Sequence, residues 1–517
     1  MPPSADFSFP LGWQAYTGVH DEDKEVFRMK PMRHIRQWGT LGLALACLLM
    51  SAGCTTASGQ NIGADPAQSA AVQSSQPREA AELDLTDATR ITLSGESASI
   101  EGEGAQVEDG VVTITQGGVY ALSGTLQGRV IVNAGDEEVT VALNGADIVC
   151  SYGSPLYIYS AGTATLHLME GTQNSLTDGE TYTFADSLSS QVDEEPNACL
   201  YSKDDLVIQG AGVLTVNANY NNGITSKDTL AIYDSLIAVT AVNHGVNGKD
   251  SNTIDSAVLS VTCGGDAIRA TNDTDDTMGW ISLSNAELTL EAGEDGIQGE
   301  TWVTVSGGSY AITTGGGSGA ALGTDASAKG IKAGTDLTLE GGSFSMNCCD
   351  DAFHANGSVT VAEGSYTVAT GDDAFHADET LTVAGGTIAV NESYEGLEGA
   401  DVVISDGTIS IVSSDDGVNA AGGNDGSGMS GQGMPDAFGS GGGDYSITIS
   451  GGTLSVLAGG DGLDSNGTIA LSGGTVVVSS IGMADGALDY DGGCTITGGI
   501  LFAASAGNMT QTPTGSN

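Results

Sequence analysis

The chain has 517 residues, with 66 Asp and Glu against 14 Lys and Arg, a formal charge of −52 and 78 Gly. Hydrophobic residues reach 40%, enough to bury a core, so the acidity does not make this a disordered acidic tail. The charge repels phosphate backbones and anionic lipid, which excludes nucleic-acid binding and favours divalent cations as partners. Gly without a G-X-Y period, beside only 10 Pro, excludes collagen.

Residues 1–28 carry Asp21, Glu22, Asp23 and Glu25, the wrong sign for a leader, and read as an upstream extension before a start at Met29 or Met32. Residues 29–53 read as a lipoprotein signal peptide: Arg33, His34 and Arg36 precede an apolar run at 41–50 that is too short to span a bilayer. Ser51, Ala52, Gly53 and Cys54 follow as a lipobox, with Ser51 where Leu is more usual, and Cys54 takes the lipid. The expectation is an exported protein, lipid-anchored to the outer face of the cell membrane and touching membrane only through that anchor. Five basic and five acidic residues precede Cys54, so the remainder holds nine bases against 61 acids and stays at −52. Residues 54–82, rich in Ser, Ala and Gln, read as a flexible tether.

Six cysteines follow Cys54: Cys150, Cys199, Cys263, Cys348, Cys349 and Cys494. They show no CxxC or zinc spacing and read as small buried residues rather than a disulfide framework.

The decisive signal is an internal repeat, which runs through residues 83–505 and leaves 506–517 as a tail. Short phrases recur: NGITS at Asn222, HGVNG at His244, DAIRA at Asp266, DGIQG at Asp295, KGIKA at Lys329, DAFHA at Asp351 and Asp373, EGLEG at Glu395, DGVNA at Asp416 and DGLDS at Asp461. Most starts lie 22 residues apart, and alternating β-branched strands separated by Gly-Gly or Asp-Gly turns fill the intervals. One short and two longer strands per 22 residues predict an all-β fold, a right-handed parallel β-helix of about 22 residues per coil. A left-handed hexapeptide helix needs 18 residues per coil, and a propeller blade needs four strands. Ile268, Ile297, Ile331, Phe353, Phe375, Leu397, Val418 and Leu463 are expected to stack inward on successive coils. A Gly/Met-rich insert at about 422–443 interrupts the period, as an edge loop or as a flap near a site.

Read outward, the first position of the phrase carries Asp351, Asp373, Glu395 and Asp416, and the position before it Asp350, Asp372 and Asp415. Unit charges about 4.8 Å apart repel by roughly 3–4 kcal/mol at an effective dielectric near 20. Such a ladder binds cations, protonates or splays into water. Ca²⁺ takes six to eight oxygens in flexible geometry and is the expected ion, on those seven carboxylates. The competing reading has each Asp capping backbone amides of its turn, which explains single acids but not the doubled ones. Three residues on, Arg269, Gln298, Lys332, His354 and His376 form a column, followed by Glu398, Asn419 and Asp464. Arg269, Lys332, His354 and His376 are candidate contacts for an anionic glycan. Alternatively they form a structural ladder, His354 stacked on His376 and Lys332 paired with an acid; a transition metal on the two His is a third reading.

No nucleophile motif, HExxH or P-loop stands out, so no catalytic residue is assigned. Exposed aromatic platforms for neutral sugars are few, with Trp280 and Trp302 the two tryptophans beyond Cys54.

Residues 91–132 and 141–158, together with KGIKA, the two DAFHA phrases and SYEGLEG from Ser393, resemble a family of bacterial exported carbohydrate-binding domains of the clostridial polygalacturonate-binding type. The resemblance covers roughly residues 83–505. It implies a calcium-binding parallel β-helix that binds acidic plant polysaccharide, sharing its fold with pectate lyases. The positions that match its acid-rich turns are Asp350, Asp351, Asp372, Asp373, Glu395, Asp415 and Asp416.

The expected function is therefore a surface-anchored, monomeric, calcium-dependent, non-catalytic binder of acidic polysaccharide. One alternative is a polysaccharide lyase using Lys332 as base beside calcium. The other is an envelope adhesin that calcium merely stiffens.

Overall fold

A computed structural model describes residues 83–323, 326–421, 445–507 and 511–514. The signal peptide, Cys54, the tether and the 422–443 insert lie outside the described residues. The described residues are all strand, turn and irregular chain, with 42 strands hydrogen-bonded into one continuous sheet.

The strands stack in three parallel columns, each strand pairing with its counterpart one coil away. The first column holds short strands: Ile268–Ala270 pairs with Ile297–Gly299, and that with Ile331–Ala333. Phe353–Ala355, Phe375–Val383, Leu397–Ile404, Val418–Ala420 and Leu463–Ser465 continue the stack. A second column runs through Ser251–Asp255 and Trp280–Ser284, and a third through Val258–Cys263 and Glu287–Ala292. The result is an all-β, solenoid-like stack. Antiparallel strand pairing is confined, among the described strands, to two N-terminal hairpins, Thr89–Gly95 with Ser97–Glu101 and Ala105–Glu108 with Val111–Ile114. At the other end Thr514 folds back, its amide donating to the Cys494 carbonyl at 2.8 Å.

Alternation drives this arrangement. In Val258–Cys263 and Glu287–Ala292 every second side chain is buried and the rest face out, the period-two pattern of a half-buried strand. The eight apolar residues expected to stack inward pair one to the next in unbroken register and are all buried. Parallel stacking lays identical groups over one another, so Phe353 and Phe375 lie face to face with centroids 4.6 Å apart. Tyr310, Phe344 and Tyr366 form a second stack at 4.8 Å per step. Each ring contributes roughly 1.5–3 kcal/mol by burial. At the Gly-Gly turn before Thr387, Gly386 has φ +86° and a Cβ there would meet the Gly364 carbonyl of the preceding coil. Only glycine fits.

All six described cysteines are buried and free, Cys348 and Cys349 included. No helix among the described residues is long and apolar enough to cross a membrane.

Candidate functional site

The acid column runs along the turn before the first strand column. Each coil there leaves one backbone amide pointing along the stack, and a buried amide needs an acceptor. At most coils the side chain one coil earlier supplies it, while the Asp351 amide donates to Asp350 Oδ1 of its own turn at 2.9 Å. Asn222 Oδ1 accepts the His244 amide at 3.2 Å, and His244 Nδ1 accepts that of Asp266 at 2.9 Å. Asp266 Oδ1 serves Asp295 at 3.0 Å, and Asp295 Oδ1 serves Lys329 at 2.8 Å. Asp351 Oδ1 takes the Asp373 amide at 3.0 Å, Asp373 Oδ1 that of Glu395 at 3.1 Å, and Asp416 Oδ1 that of Asp461 at 2.6 Å. The capping expected of these acids is present, but it reaches across to the next coil instead of closing the residue's own turn. This turns the carboxylates inward: Asp351, Asp373 and Glu395, expected to face out, are buried at 3%, 0% and 8% exposure.

The second carboxylate oxygen meets the residue three positions on. Asp351 Oδ2 lies 2.9 Å from His354 Nδ1, Asp373 Oδ2 lies 3.3 Å from His376 Nδ1, and Asp266 Oδ2 lies 3.5 Å from Arg269 Nη1. Lys332 Nζ approaches Asp295 Oδ2 at 3.7 Å. Arg269, Lys332, His354 and His376 do share one column, aligned through Gln298. Each is already paired with an acid of its own coil or, for Lys332, of the coil before. His354 and His376 stack at 4.6 Å, and His376, with its side chain 4% exposed, lies too deep to touch a bound chain.

Spacing alone missed Lys329. It stands where its neighbours carry acids, and its Nζ bonds Asp350 Oδ1 at 2.7 Å and also Asp351 Oδ2. Burial would raise the Asp351 pKa, but the Lys329 ammonium and the two imidazoles hold it well below the carboxylate range. Asp350, Asp351 and Asp372 bring carboxylate oxygens within 4.8 Å of one another, an all-oxygen group with that ammonium at its edge.

One coil on, compensation weakens. Burial, with Asp351 and Glu398 nearby, pushes Asp373 up to about 8 although His376 bonds it. Burial would lower His376, yet the carboxylates of Asp373 and Glu398 against its ring raise it to about 12. Burial and the charges of Asp373, Glu398 and Asp416 drive Glu395 well above its usual range, against a lowering bond from Asn419 Nδ2 at 3.0 Å. Beyond His376 the sequence contains no Lys, Arg or His at all. There burial, Asp464 and Asp415 push Asp416 up to about 9. Asp461 rises to about 6 through burial, offset by the Gly486 amide, and through Asp489 and Asp485. A Cβ at Gly460 would strike Oδ1 of both Asp415 and Asp416, so that glycine makes room for the paired carboxylates. Asp464 aligns with Asn419 on one side and Asp489 on the other.

Trp280 and Trp302, 22 residues and so one coil apart, stack at 4.8 Å with planes 3° apart on the half-exposed face of the second column.

A family model described as carbohydrate-binding domain-containing protein matches residues 108–374. A carbohydrate-binding domain-containing protein of Acetivibrio thermocellus is 43% identical over 141 residues, covering 27% of this chain and 48% of the relative. The match thus spans about half the relative's length. Among solved structures, a chain titled polysaccharide lyase-like protein from C. thermocellum, gadolinium derivative, aligns at TM-score 0.36 and 26% identity over 61% of this chain and 96% of that one. With more than half its length matched by the family model, this chain belongs to the family of carbohydrate-binding domain-containing proteins.

Proposed function

We propose that this protein is a non-catalytic, calcium-dependent binder of acidic polysaccharide of the polygalacturonate or pectin type. In this reading the solenoid is a right-handed β-helix of about 22 residues per coil, monomeric and held at the outer membrane face by lipid on Cys54. Family membership supports a polysaccharide partner. The observation that carries the ion is the acid run from Asp415 to Asp489, where Asp416 and Asp461 are pushed up by burial and neighbouring acids and the sequence holds no Lys, Arg or His downstream of His376. An all-oxygen donor set of this kind suits calcium, which accepts carboxylates in flexible numbers.

The seven acids assigned to calcium do not fit equally. Asp415 and Asp416 fit well, with Asp461 and Asp464 beside them. Asp350, Asp351 and Asp372 fit with Lys329 as a competing cation. Asp373 and Glu395 are engaged by His376 and Asn419 and are the poorest oxygen-only ligands. Bound calcium would supply positive charge between two polyanions, without which a chain of −52 repels a uronate polymer. The residues of this chain place the acids, keep them dry on one side through the capping ladder, and leave Asp372 and Asp415 half-exposed toward solvent.

The test is polygalacturonate binding in millimolar Ca²⁺ and in EDTA, with absorbance of unsaturated uronate followed in the same sample. Calcium-dependent binding with flat absorbance is expected. Rising absorbance abolished by Lys332→Ala would replace this reading with a lyase. Calcium-dependent melting without glycan affinity would replace it with a stiffened envelope protein.

A further inference from the structure

The histidine cluster offers a second kind of cation site, chemically unlike the oxygen-only acids. His376 Nε2 lies 3.2 Å from Asp378 Oδ1, which fixes a proton on that nitrogen and turns the other one, Nδ1, inward. Nδ1 then faces two carboxylate oxygens at once, Asp373 Oδ2 at 3.3 Å and Glu398 Oε2 at 2.5 Å. One ring nitrogen carries at most one proton, so it serves at most one of them. Glu398 Oε2 is the loser: it belongs to a residue 2% exposed and, close as it lies to the ring, has no hydrogen-bond donor directed at it among the described residues. Asn419, in register with Glu398 on the next coil, also has its Oδ1 buried without a hydrogen bond. A buried carboxylate oxygen without a donor is destabilising, and an unseen ion is a standard reason for one.

We propose that Asp373 Oδ2, His376 Nδ1 and Glu398 Oε2 form a buried site for a transition-metal ion of the Zn²⁺ class, which takes Asp373, a poor oxygen-only ligand, out of the set assigned to calcium. The three donor atoms lie within 4.8 Å of one another. Donors at zinc distances of about 2.0–2.1 Å in a tetrahedron sit roughly 3.3 Å apart, the spacing Asp373 and His376 already have. Glu398 has to open by less than an ångström. Asp378 on the far ring nitrogen is the outer partner that orients a ligating imidazole and raises its basicity. An imidazole donor suits zinc, copper, cobalt or nickel, and calcium strongly prefers oxygen.

The neighbouring coil shows the contrast. His354 repeats the motif, with Nδ1 on Asp351 and Nε2 on Asn356 Oδ1 at 2.9 Å. There the Lys329 ammonium already bonds the Asp351 carboxylate. On the Asp373 coil no lysine does this among the described residues. Because Asp373 and Glu398 come from successive coils, the ion would clamp the stack at its most acidic buried point, whether or not a glycan binds.

The experiment uses the full chain, stripped with chelator, dialysed and titrated with Co²⁺ while its visible d–d absorption is recorded. One equivalent of Co²⁺ with a ligand-field band that survives millimolar Ca²⁺ is expected, together with loss of the band in His376→Ala and in Glu398→Gln. Glu398→Gln keeps the side-chain volume, and its far-UV circular dichroism verifies the fold should His376→Ala fail to fold. Asp378→Asn is expected to weaken Co²⁺ by about 10–100-fold, and Glu363→Gln, at an exposed turn acid outside both sites, to leave the band unchanged. The absence of a band in the wild type, its persistence in folded Glu398→Gln, or its displacement by Ca²⁺ would each overturn the proposal and leave His376 as a protonated bridge between two acids.

Discussion

Asp351 and Asp373 occupy one register on adjacent coils, linked by Asp351 Oδ1 accepting the Asp373 amide at 3.0 Å, yet they lie on opposite sides of the ordinary carboxylate range. Asp351 is held well below it by Lys329 and the imidazoles, while Asp373 is pushed up to about 8 by burial and its acidic neighbours. The same cap thus serves an anion in one coil and a readily protonated acid in the next. What differs is whether a lysine stands one coil earlier.

Lys329→Met is therefore expected to cost about 3–5 kcal/mol, the penalty for stranding a buried charge whose partner is removed. Asp351 is 3% exposed and Asp350 is 6% exposed, so water cannot replace the ammonium. Calcium is expected to return more stability to this variant than to the wild type, because Asp350, Asp351 and Asp372 already converge. Urea unfolding by circular dichroism, with and without Ca²⁺, measures both. A loss under about 1 kcal/mol would mean the pair is no more than a surface ion pair.

The pH profile follows from the raised acids. Asp373, Asp416 and Asp461 have folded pKa values near 8, 9 and 6, all above an unfolded value of about 4. A raised carboxylate contributes stability that is full below the unfolded pKa and is lost as pH rises through the folded one. His376, raised to about 12, adds loss in the same direction above its unfolded value of about 6.5. Asp351 acts oppositely, its stability being present above about 4 and lost only in stronger acid. In EDTA the melting temperature is thus expected to peak near or just below pH 4 and fall steadily from pH 5 to 9. Ca²⁺ is expected to flatten the alkaline fall, and thermal melts across that range decide it. A curve that rises toward pH 8 in EDTA would show that these acids ionise freely.

The stacked phenylalanines allow a packing test. Phe375 is fully buried and lies 4.6 Å from Phe353, so Phe375→Ala is expected to cost about 3–5 kcal/mol and Phe375→Leu distinctly less. Equal losses for the two would mean that ring stacking, rather than filled volume, dominates.

The inward stack was legible because its period survives in the sequence: Ile331, Phe353, Phe375 and Leu397 mark each coil at the residue that pairs with the next. The Trp280–Trp302 stack was open to the same reasoning, since the two are one 22-residue period apart, but neither belongs to the recurring phrases from which the register was read. The direction of the acids was not legible. Spacing says which residues are neighbours, but not that Asp351 turns inward to meet an amide one coil away. Lys329 escaped notice because it breaks the acidic pattern, and the break is what compensates the acids after it.

Asp416 separates stability from function most cleanly. Its Oδ1 caps the Asp461 amide at 2.6 Å, a bond that an asparagine carbonyl keeps. Among the described residues its charge is opposed by Asp464, Asp415 and Asp461, and no base follows in the chain. Asp416→Asn is thus expected to stabilise the calcium-free protein at pH 8, by at least about 1 kcal/mol, since each pKa unit of relief is worth about 1.4 kcal/mol. The same change removes a calcium ligand in the proposed site, so the stabilisation gained on adding Ca²⁺ should shrink and polygalacturonate binding should weaken with it. Melts in EDTA and in Ca²⁺, paired with a binding titration, test both halves on one variant. A variant less stable than the wild type in EDTA would make Asp416 a needed structural anion. A variant that is stabilised but binds glycan undiminished would move the calcium bridge back toward Asp350, Asp351 and Asp372.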